Sequence, residues 1–193
     1  MKKKNTSQKN ILTLAIPTRN YIKGVKNIIL ELKKKKFDKV KIIFFENSTN
    51  DDIYNFLVKN KKIINFDIIR SNNLNFIDHW NKILQFCDTD YLLMLHHDEI
   101  IPSKTLDNLI TNIEKYKSDF YIFKIKKRNS YGEWKIGFSN LVKAFFIKYL
   151  REIILYINYI GPMSAFCFKV RKIIILIQKL NILWICIYFI KFF

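Results

Sequence analysis

The sequence predicts an α/β fold in which a mostly parallel, Rossmann-like sheet is flanked by helices, and three observations predict it. Short apolar runs alternate with segments whose apolar residues recur every three or four positions. The runs lack the strict in-and-out alternation of a half-solvated antiparallel sheet, so they read as strands covered on both faces. With 193 residues, half of them apolar and 16% aromatic, the chain can bury one sizeable core.

The first strand is the apolar run at residues 11–16. Lysines at 2–4 make it imitate a signal peptide, but six residues are too few. The Pro17-Thr18-Arg19-Asn20 that follows offers no small-residue cleavage site, so a buried strand is the better reading. Ile22, Val25, Ile28, Ile29 and Leu32 then form one helical stripe, and the lysines at 33–36 suit the negative end of that helix. Residues 40–45 (VKIIFF) are the second strand. Asn50-Asp51-Asp52 supplies a cap and first-turn acids for a short helix that buries Ile53, Phe56 and Leu57.

The third strand covers residues 63–69. Asn75 caps a helix whose inner face is Phe76, Trp80, Ile83, Leu84 and Cys87. Residues 91–95 give another strand, a helix beyond Pro102 carries Leu106, Leu109, Ile110 and Ile113, and residues 120–125 close the series. Residues 126–140 are polar and read as a loop or small excursion. The stretches 141–160 and 170–193 are apolar and basic. Charged or polar residues (Lys148, Arg151 and Glu152 in one, Gln178, Lys179 and Asn181 in the other) interrupt each within the roughly 20 residues a membrane span needs. A buried or interfacial, largely helical segment is expected there. The organisation is therefore a basic tail at 1–10, an α/β domain at 11–125, and an apolar segment at 126–193.

The net charge of +18, from 34 basic against 16 acidic residues, invites nucleic acid as a partner. Composition argues against it: 29 of the basic residues are Lys, only five are Arg, and they are spread along the chain rather than clustered. Residues 134–193 hold nine basic residues and one acid, which favours a peripheral contact with an anionic membrane face. Cys87, Cys167 and Cys186 lie too far apart for a disulfide framework or a zinc site, and a reducing, cytoplasmic compartment fits them.

In an open parallel sheet, ligands bind at the carboxyl ends of the strands. The residues just after the strands are polar: Pro17-Thr18-Arg19-Asn20, then Glu46 to Asp51, then Arg70-Ser71-Asn72-Asn73, then His96-His97-Asp98-Glu99. Four loops are thus expected to converge on one crevice. No glycine-rich dinucleotide fingerprint, P-loop or nucleophile elbow follows any strand, so a ligand phosphate would need a metal more than a glycine cradle. Oxygen donors at Asp98 and Glu99 suit Mg²⁺ or Mn²⁺, and imidazole at His96 or His97 suits Mn²⁺ better than Mg²⁺. The alternative is that Asp98 and Glu99 only precede the helix, with the histidines satisfied in the loop.

Four stretches, LTLAIPTRN (12–20), FFENSTND (44–51), RSNNLNFIDHWNKILQFCDTDYLLMLHHDEII (70–101) and IGPMSAFCFK (160–169), together resemble family-2 glycosyltransferases of the GT-A fold. ENSTND matches the family's acidic-Asn-Ser-Ser-Thr-Asp element, NNLNF its Asn-x-Asn-Leu-Gly-Phe stretch, and HHDE part of its Asp-x-Asp metal motif. The resemblance implies that Pro17, Thr18, Asn20, Glu46, Ser48, Arg70 and Asp98 bind a nucleotide-diphosphate sugar, most often a UDP-sugar. Thr18 and Glu46 would lie beside base and ribose, and Arg70 beside the base or pyrophosphate. It further implies Mn²⁺ or Mg²⁺ at Asp98, with His96 and Glu99 as further ligands, and an acceptor side at Gly161, Pro162 and Ser164. The implied reaction is an inverting transfer to a polysaccharide or lipid-linked acceptor at the inner face of the membrane. In the family an Asp after the segment resembling GPMSA is the general base. Beyond Glu152 this sequence has no Asp or Glu, so impaired transfer, a truncated copy, or a non-catalytic nucleotide-sugar-binding or scaffold paralogue is expected.

Overall fold

The computed structural model describes residues 9–71, 73–122, 126–128, 134–136 and 166–170. Strands and helices alternate as the apolar pattern predicts: β1 (Leu12–Thr18), α1 (Ile22–Leu32), β2 (Val40–Glu46), α2 (Asp52–Lys61), β3 (Asp67–Arg70), α3 (Phe76–Phe86), β4 (Tyr91–Met94), α4 (Ser103–Tyr116) and β5 (Phe120–Ile122). β6 (Lys126–Arg128), β7 (Trp134–Ile136) and β8 (Phe166–Lys169) follow.

A six-stranded sheet runs in the order β3-β2-β1-β4-β8-β5. The strand pairs from β3 to β4 are parallel, and β8 lies antiparallel between β4 and β5. β1 is its axis, in register with β2 from Leu12↔Val40 to Thr18↔Glu46 and with β4 from Leu12↔Tyr91 to Ala15↔Met94. Because pairing with β4 ends at Ala15, the strand can pass through Pro17, which has no N–H to donate, and still pair with β2 as far as Thr18.

Alternate residues of the strands build two cores. On one face Leu12, Leu14 and Ile16 meet Val25, Ile28, Ile29 and Leu32 of α1, Ile53 and Leu57 of α2, and Leu106, Leu109 and Ile113 of α4. On the other, Ala15, Ile43, Phe45, Leu92 and Met94 meet Ile83 of α3. Each fully buried Leu, Ile or Phe contributes roughly 1.5–3 kcal/mol relative to exposure, so these stripes fix which helix covers which face.

Local departures from the sequence reading have local causes. The third strand is shorter than residues 63–69, because Ile63 and Ile64 both donate their amides to Asn60 O (2.9 and 3.1 Å) and close a turn after α2. Phe66 is still buried there, edge-on to Phe44 at 5.0 Å. The N-cap of α2 is Asp51 rather than Asn50 and makes no side-chain cap bond. Asn75 does cap α3: its Oδ1 accepts the Asp78 amide at 2.9 Å. The polar stretch after residue 125 contributes a two-stranded antiparallel sheet, β6 and β7. Of the strand expected at 120–125, Phe120–Ile122 is a strand and residues 123–125 lie outside the described residues. The apolar segments at 141–165 and 171–193 also lie outside them. Among the described residues no helix is long and apolar enough to cross a membrane.

Candidate nucleotide-sugar site

The order β3-β2-β1-β4 reverses direction of winding between β1 and β4, so the loops leaving these two strands diverge to opposite faces and open a crevice at the carboxyl edge. Four loops meet there and are laced by their own polar side chains. Asn20, in the left-handed region at φ 52°, donates its amide to Ser48 Oγ (3.0 Å), and its Oδ1 accepts from the amide and hydroxyl of Thr49 (3.0 and 3.3 Å). Asparagine tolerates that backbone conformation better than most residues. Arg19 donates through Nη2 to Oδ1 of Asn73 (2.9 Å), itself at φ 50°, and through its amide to His97 Nδ1 (3.3 Å). Buried Asn47 grips the backbone on either side of Leu74, donating from Nδ2 to its carbonyl (2.8 Å) and accepting its amide on Oδ1 (2.7 Å).

Beneath this lacing lies a buried polar floor. Thr18 is buried, its hydroxyl donating to Phe45 O at 3.4 Å. Glu46 is fully buried, and its Oε1 accepts the Ser48 amide at 2.7 Å. Arg70 stands over it, with Nε 3.4 Å from Oε2, Nη2 on Asp51 Oδ1, and its guanidinium 4.6 Å from the Tyr54 ring centre. The hydrogen bond it donates to Asp51 holds the guanidinium above its ordinary pKa. Lys82 of α3 closes this side by donating to Arg70 O (3.1 Å) and Ser71 Oγ (3.0 Å).

At the end of β4 the four-residue polar turn is held from both flanks. His97 packs on Tyr21, ring centres 5.5 Å apart, and its carbonyl lies so close to Gly24 of α1 that a Cβ there would be 1.9 Å from the oxygen. His96 meets Trp80 of α3 at 5.7 Å, and its amide donates to Glu99 Oε2 at 3.3 Å. Burial, reinforced by His96, pushes the His97 imidazole below its ordinary pKa against the opposing pull of Asp98 and a backbone hydrogen bond at Pro17. Asp98 is the exposed residue at the tip. On α3, buried His79 is pushed down to about 4, by burial first and then by the charges of Lys82 and Arg19.

A model of glycosyl transferase family 2 matches residues 13–174. The chain belongs to this family. Among solved structures, S. aureus TarS 1-349 is similar at a TM-score of 0.65 and 17% identity, over 89% of this chain and 49% of that one. The same TarS fragment in complex with UDP-GlcNAc gives 0.64 at 17% identity, over 89% and 47%. The mannosyltransferase PcManGT from Pyrobaculum calidifontis, in complex with GDP-Man and Mn2+, gives 0.51 at 12%, over 62% and 36%. The family-2 chain therefore shares the GT-A-like fold and spans about half the length of the TarS chain it matches. No curated protein matches at a significant level.

In the family-2 chain the crevice brings together Pro17, Thr18, Asn20, Glu46, Ser48, Arg70, His96, Asp98 and Glu99 at one sheet edge, while Gly161, Pro162 and Ser164 lie outside the described residues. The four polar residues after β4 are not equivalent. His97 Nδ1 accepts from Arg19, and Glu99 accepts from the His96 amide, so each has a structural partner. Among the described residues no three His, Cys, Asp or Glu side chains group to hold a metal on their own. One or two carboxylates at a loop tip still fit Mg²⁺ or Mn²⁺ when substrate phosphates complete the shell, and Asp98 with Glu99 is such a pair. Sequence reasoning missed the grips made by Asn47, Lys82 and Gly24. A glycine inside an otherwise apolar-striped helix is the one signal that points to a close approach.

A cavity of about 610 Å³ opens at the opposite, amino edge of the sheet. Two of its lysines pair with two of its aspartates, Lys41 with Asp88 at 2.7 Å and Lys36 with Asp38 at 3.6 Å, and it lies away from the switch point.

Proposed function

We propose that this chain binds a nucleoside-diphosphate sugar in the carboxyl-edge crevice and serves its transfer to a polysaccharide or lipid-linked acceptor. The observation that carries the reading is the juxtaposition, at the β1/β4 switch point of a family-2 fold, of a buried carboxylate (Glu46), a guanidinium (Arg70) and an exposed carboxylate turn (Asp98, Glu99). Glu46 and Thr18 would face the base and ribose, Arg70 would stand beside the base or pyrophosphate, and Ser48 and Asn20 hold the loops in register. Asp98, with Glu99, would hold Mn²⁺ or Mg²⁺, with His96 as a further ligand. When bound, such an ion stabilises the leaving nucleoside diphosphate as a Lewis acid.

The acceptor side falls to Gly161, Pro162 and Ser164, and contact with an anionic membrane face to the basic, apolar residues beyond 134. Residues 153–193 contain no Asp or Glu, so these residues support donor binding more directly than proton abstraction from an acceptor. A non-catalytic nucleotide-sugar-binding role is the second reading, and that acid-free stretch favours it.

Ligand-dependent thermal stabilisation tests the donor reading, since a ligand at about 100 times its Kd adds about 2.7 kcal/mol to the folded state. UDP or GDP, with Mn²⁺, is expected to raise Tm, and inorganic phosphate at the same concentration is not. Equal shifts with phosphate, or none with either nucleotide, would contradict the reading.

A further inference from the structure

The edge of the sheet opposite the crevice gathers cations. Residues 33–39 enter the amino end of β2, 62–66 that of β3 and 117–119 that of β5, which runs the same way as β4 because both lie antiparallel to β8. Each of these connections carries lysine. Lys36 pairs with Asp38, Lys39 with Glu114, Lys41 with Asp88 and Lys61 with Asp67. Lys33, Lys59, Lys62, Lys115 and Lys117 form no salt bridge among the described residues, and Asp90 and Asp119 are the other acids of the edge.

The helix dipole accounts for cations at the ends of α1, α2 and α4. It does not account for the large apolar side chain that stands in water beside each group of them. Leu30, on the last turn of α1, is 60% exposed, Ile63, next to Lys62, is 68% exposed, and Tyr116, between Lys115 and Lys117, is 59% exposed. Lys115 Nζ lies 4.8 Å from the Tyr116 ring centre. Phe120, the first residue of β5, is 58% exposed. At the crevice edge the exposed Ile100 adjoins Asp98 and Glu99 instead. Apolar side chains scattered singly need no explanation, but a row of them set among unpaired cations along one edge does.

The chain also joins this edge to its most basic parts. Residues 1–10, with Lys2, Lys3 and Lys4, lead into β1 there. β8, whose Lys169 pairs with Tyr91 at the start of β4, leads out toward residues 171–193, which hold Arg171, Lys172, Lys179 and Lys191 and no acid.

We propose that the amino edge of the sheet docks on an anionic lipid surface, with Leu30, Ile63, Tyr116 and Phe120 entering the interface and the unpaired lysines lying among the headgroups. This surface belongs to the α/β core. It is additional to the contact proposed above for the residues beyond 134, and it does not depend on the donor reading. Docked this way, the crevice opens away from the lipid, about 23 Å above it for a seven-residue β1 at about 3.3 Å per residue. On the transfer reading, on which this consequence alone rests, the acceptor is a saccharide extending from the surface rather than a group at headgroup level.

Co-sedimentation of the full chain with phosphatidylglycerol or phosphatidylcholine vesicles, without nucleotide, tests the docking edge. Binding to phosphatidylglycerol only, weakening as salt rises, is expected. Two double variants of equal charge change separate the edges: Lys59→Glu with Lys62→Glu at the amino edge, and Lys23→Glu with Lys26→Glu on the first half of α1. The amino-edge pair is expected to lose about tenfold in affinity or more, and the α1 pair less than about twofold. Should the first pair fail to fold, Ile63→Gln with Tyr116→Gln leaves the charge unchanged and is expected to lose about fivefold. Equal losses from the two charge pairs would reduce the binding to net charge and overturn the edge. Unchanged binding by the amino-edge pair would place the contact beyond residue 134 and overturn it too, as would binding to neither vesicle. Tighter binding to duplex DNA than to these vesicles would overturn the lipid assignment. A protein that binds vesicles as expected but neither UDP nor GDP overturns the donor reading and leaves the docking edge standing.

Discussion

Replacing Gly24 by Ala separates this structure from a generic helical one. In an ordinary helix interior the change stabilises, since Gly is about 0.8–1.0 kcal/mol less favourable than Ala. Here the added Cβ would stand 1.9 Å from the His97 carbonyl oxygen, and ordinary contact begins near 3.4 Å, so α1 and the turn after β4 must separate by about 1.5 Å. The obstructing atom is backbone and cannot rotate away. Overpacking of this kind costs about 1–3 kcal/mol, which outweighs the propensity gain. The turn that moves carries Asp98, so ligand binding suffers along with stability. Gly24→Ala is expected to lower Tm by a few degrees, at about 2–4 °C per kcal/mol for a chain of this size, and to weaken calorimetric UDP binding with its far-ultraviolet circular dichroism unchanged. A Gly24→Ala protein as stable as the parent, with the same affinity, would refute the packing of α1 against the turn.

Two further outcomes follow from single contacts. Asn47→Ala removes both hydrogen bonds to Leu74 and leaves a half-buried loop backbone without those partners, so a loss of about 1–2 kcal/mol in urea unfolding is expected, and an unchanged midpoint would count against the grip. His79 titrates near 4 in the folded protein and near 6.5 when unfolded, so the unfolded chain binds the extra proton first as pH falls. Its contribution is therefore intact above pH 6.5 and is lost progressively down to about pH 4, by up to about 3 kcal/mol. His79→Leu should flatten the stability profile across that window, and a parent profile already flat there would show that the imidazole is solvated.

The alternation of strands and helices was legible because each apolar stripe reports its own burial: Val25, Ile28, Ile29 and Leu32 face one core and Ile83 the other, as their spacing implies. Asn75 was legible as a cap because capping is a local bond, to Asp78 three residues on. β8 was not, since Phe166–Lys169 is four residues long and is defined by pairing with β4 and β5, far away in sequence. The same distinction runs through the site. That polar loops follow the strands could be read residue by residue. Which atoms meet could not: Arg70 reaching Asp51 and Tyr54, or Arg19 reaching His97, depends on loops brought together by the sheet order. Imidazole chemistry offers either His96 or His97 to a metal, and only the structure shows that His97 Nδ1 accepts a backbone amide, while Asp98 is the exposed carboxylate of that turn.

The most direct test of the central claim is a calorimetric titration of UDP into the full chain with and without Mn²⁺, repeated on Asp98→Ala. The account predicts binding that tightens with Mn²⁺ in the parent protein and loses that dependence in Asp98→Ala, a difference of about tenfold in Kd or more, equivalent to about 1.4 kcal/mol. Binding that ignores the metal, or that Asp98→Ala leaves unchanged, would contradict it.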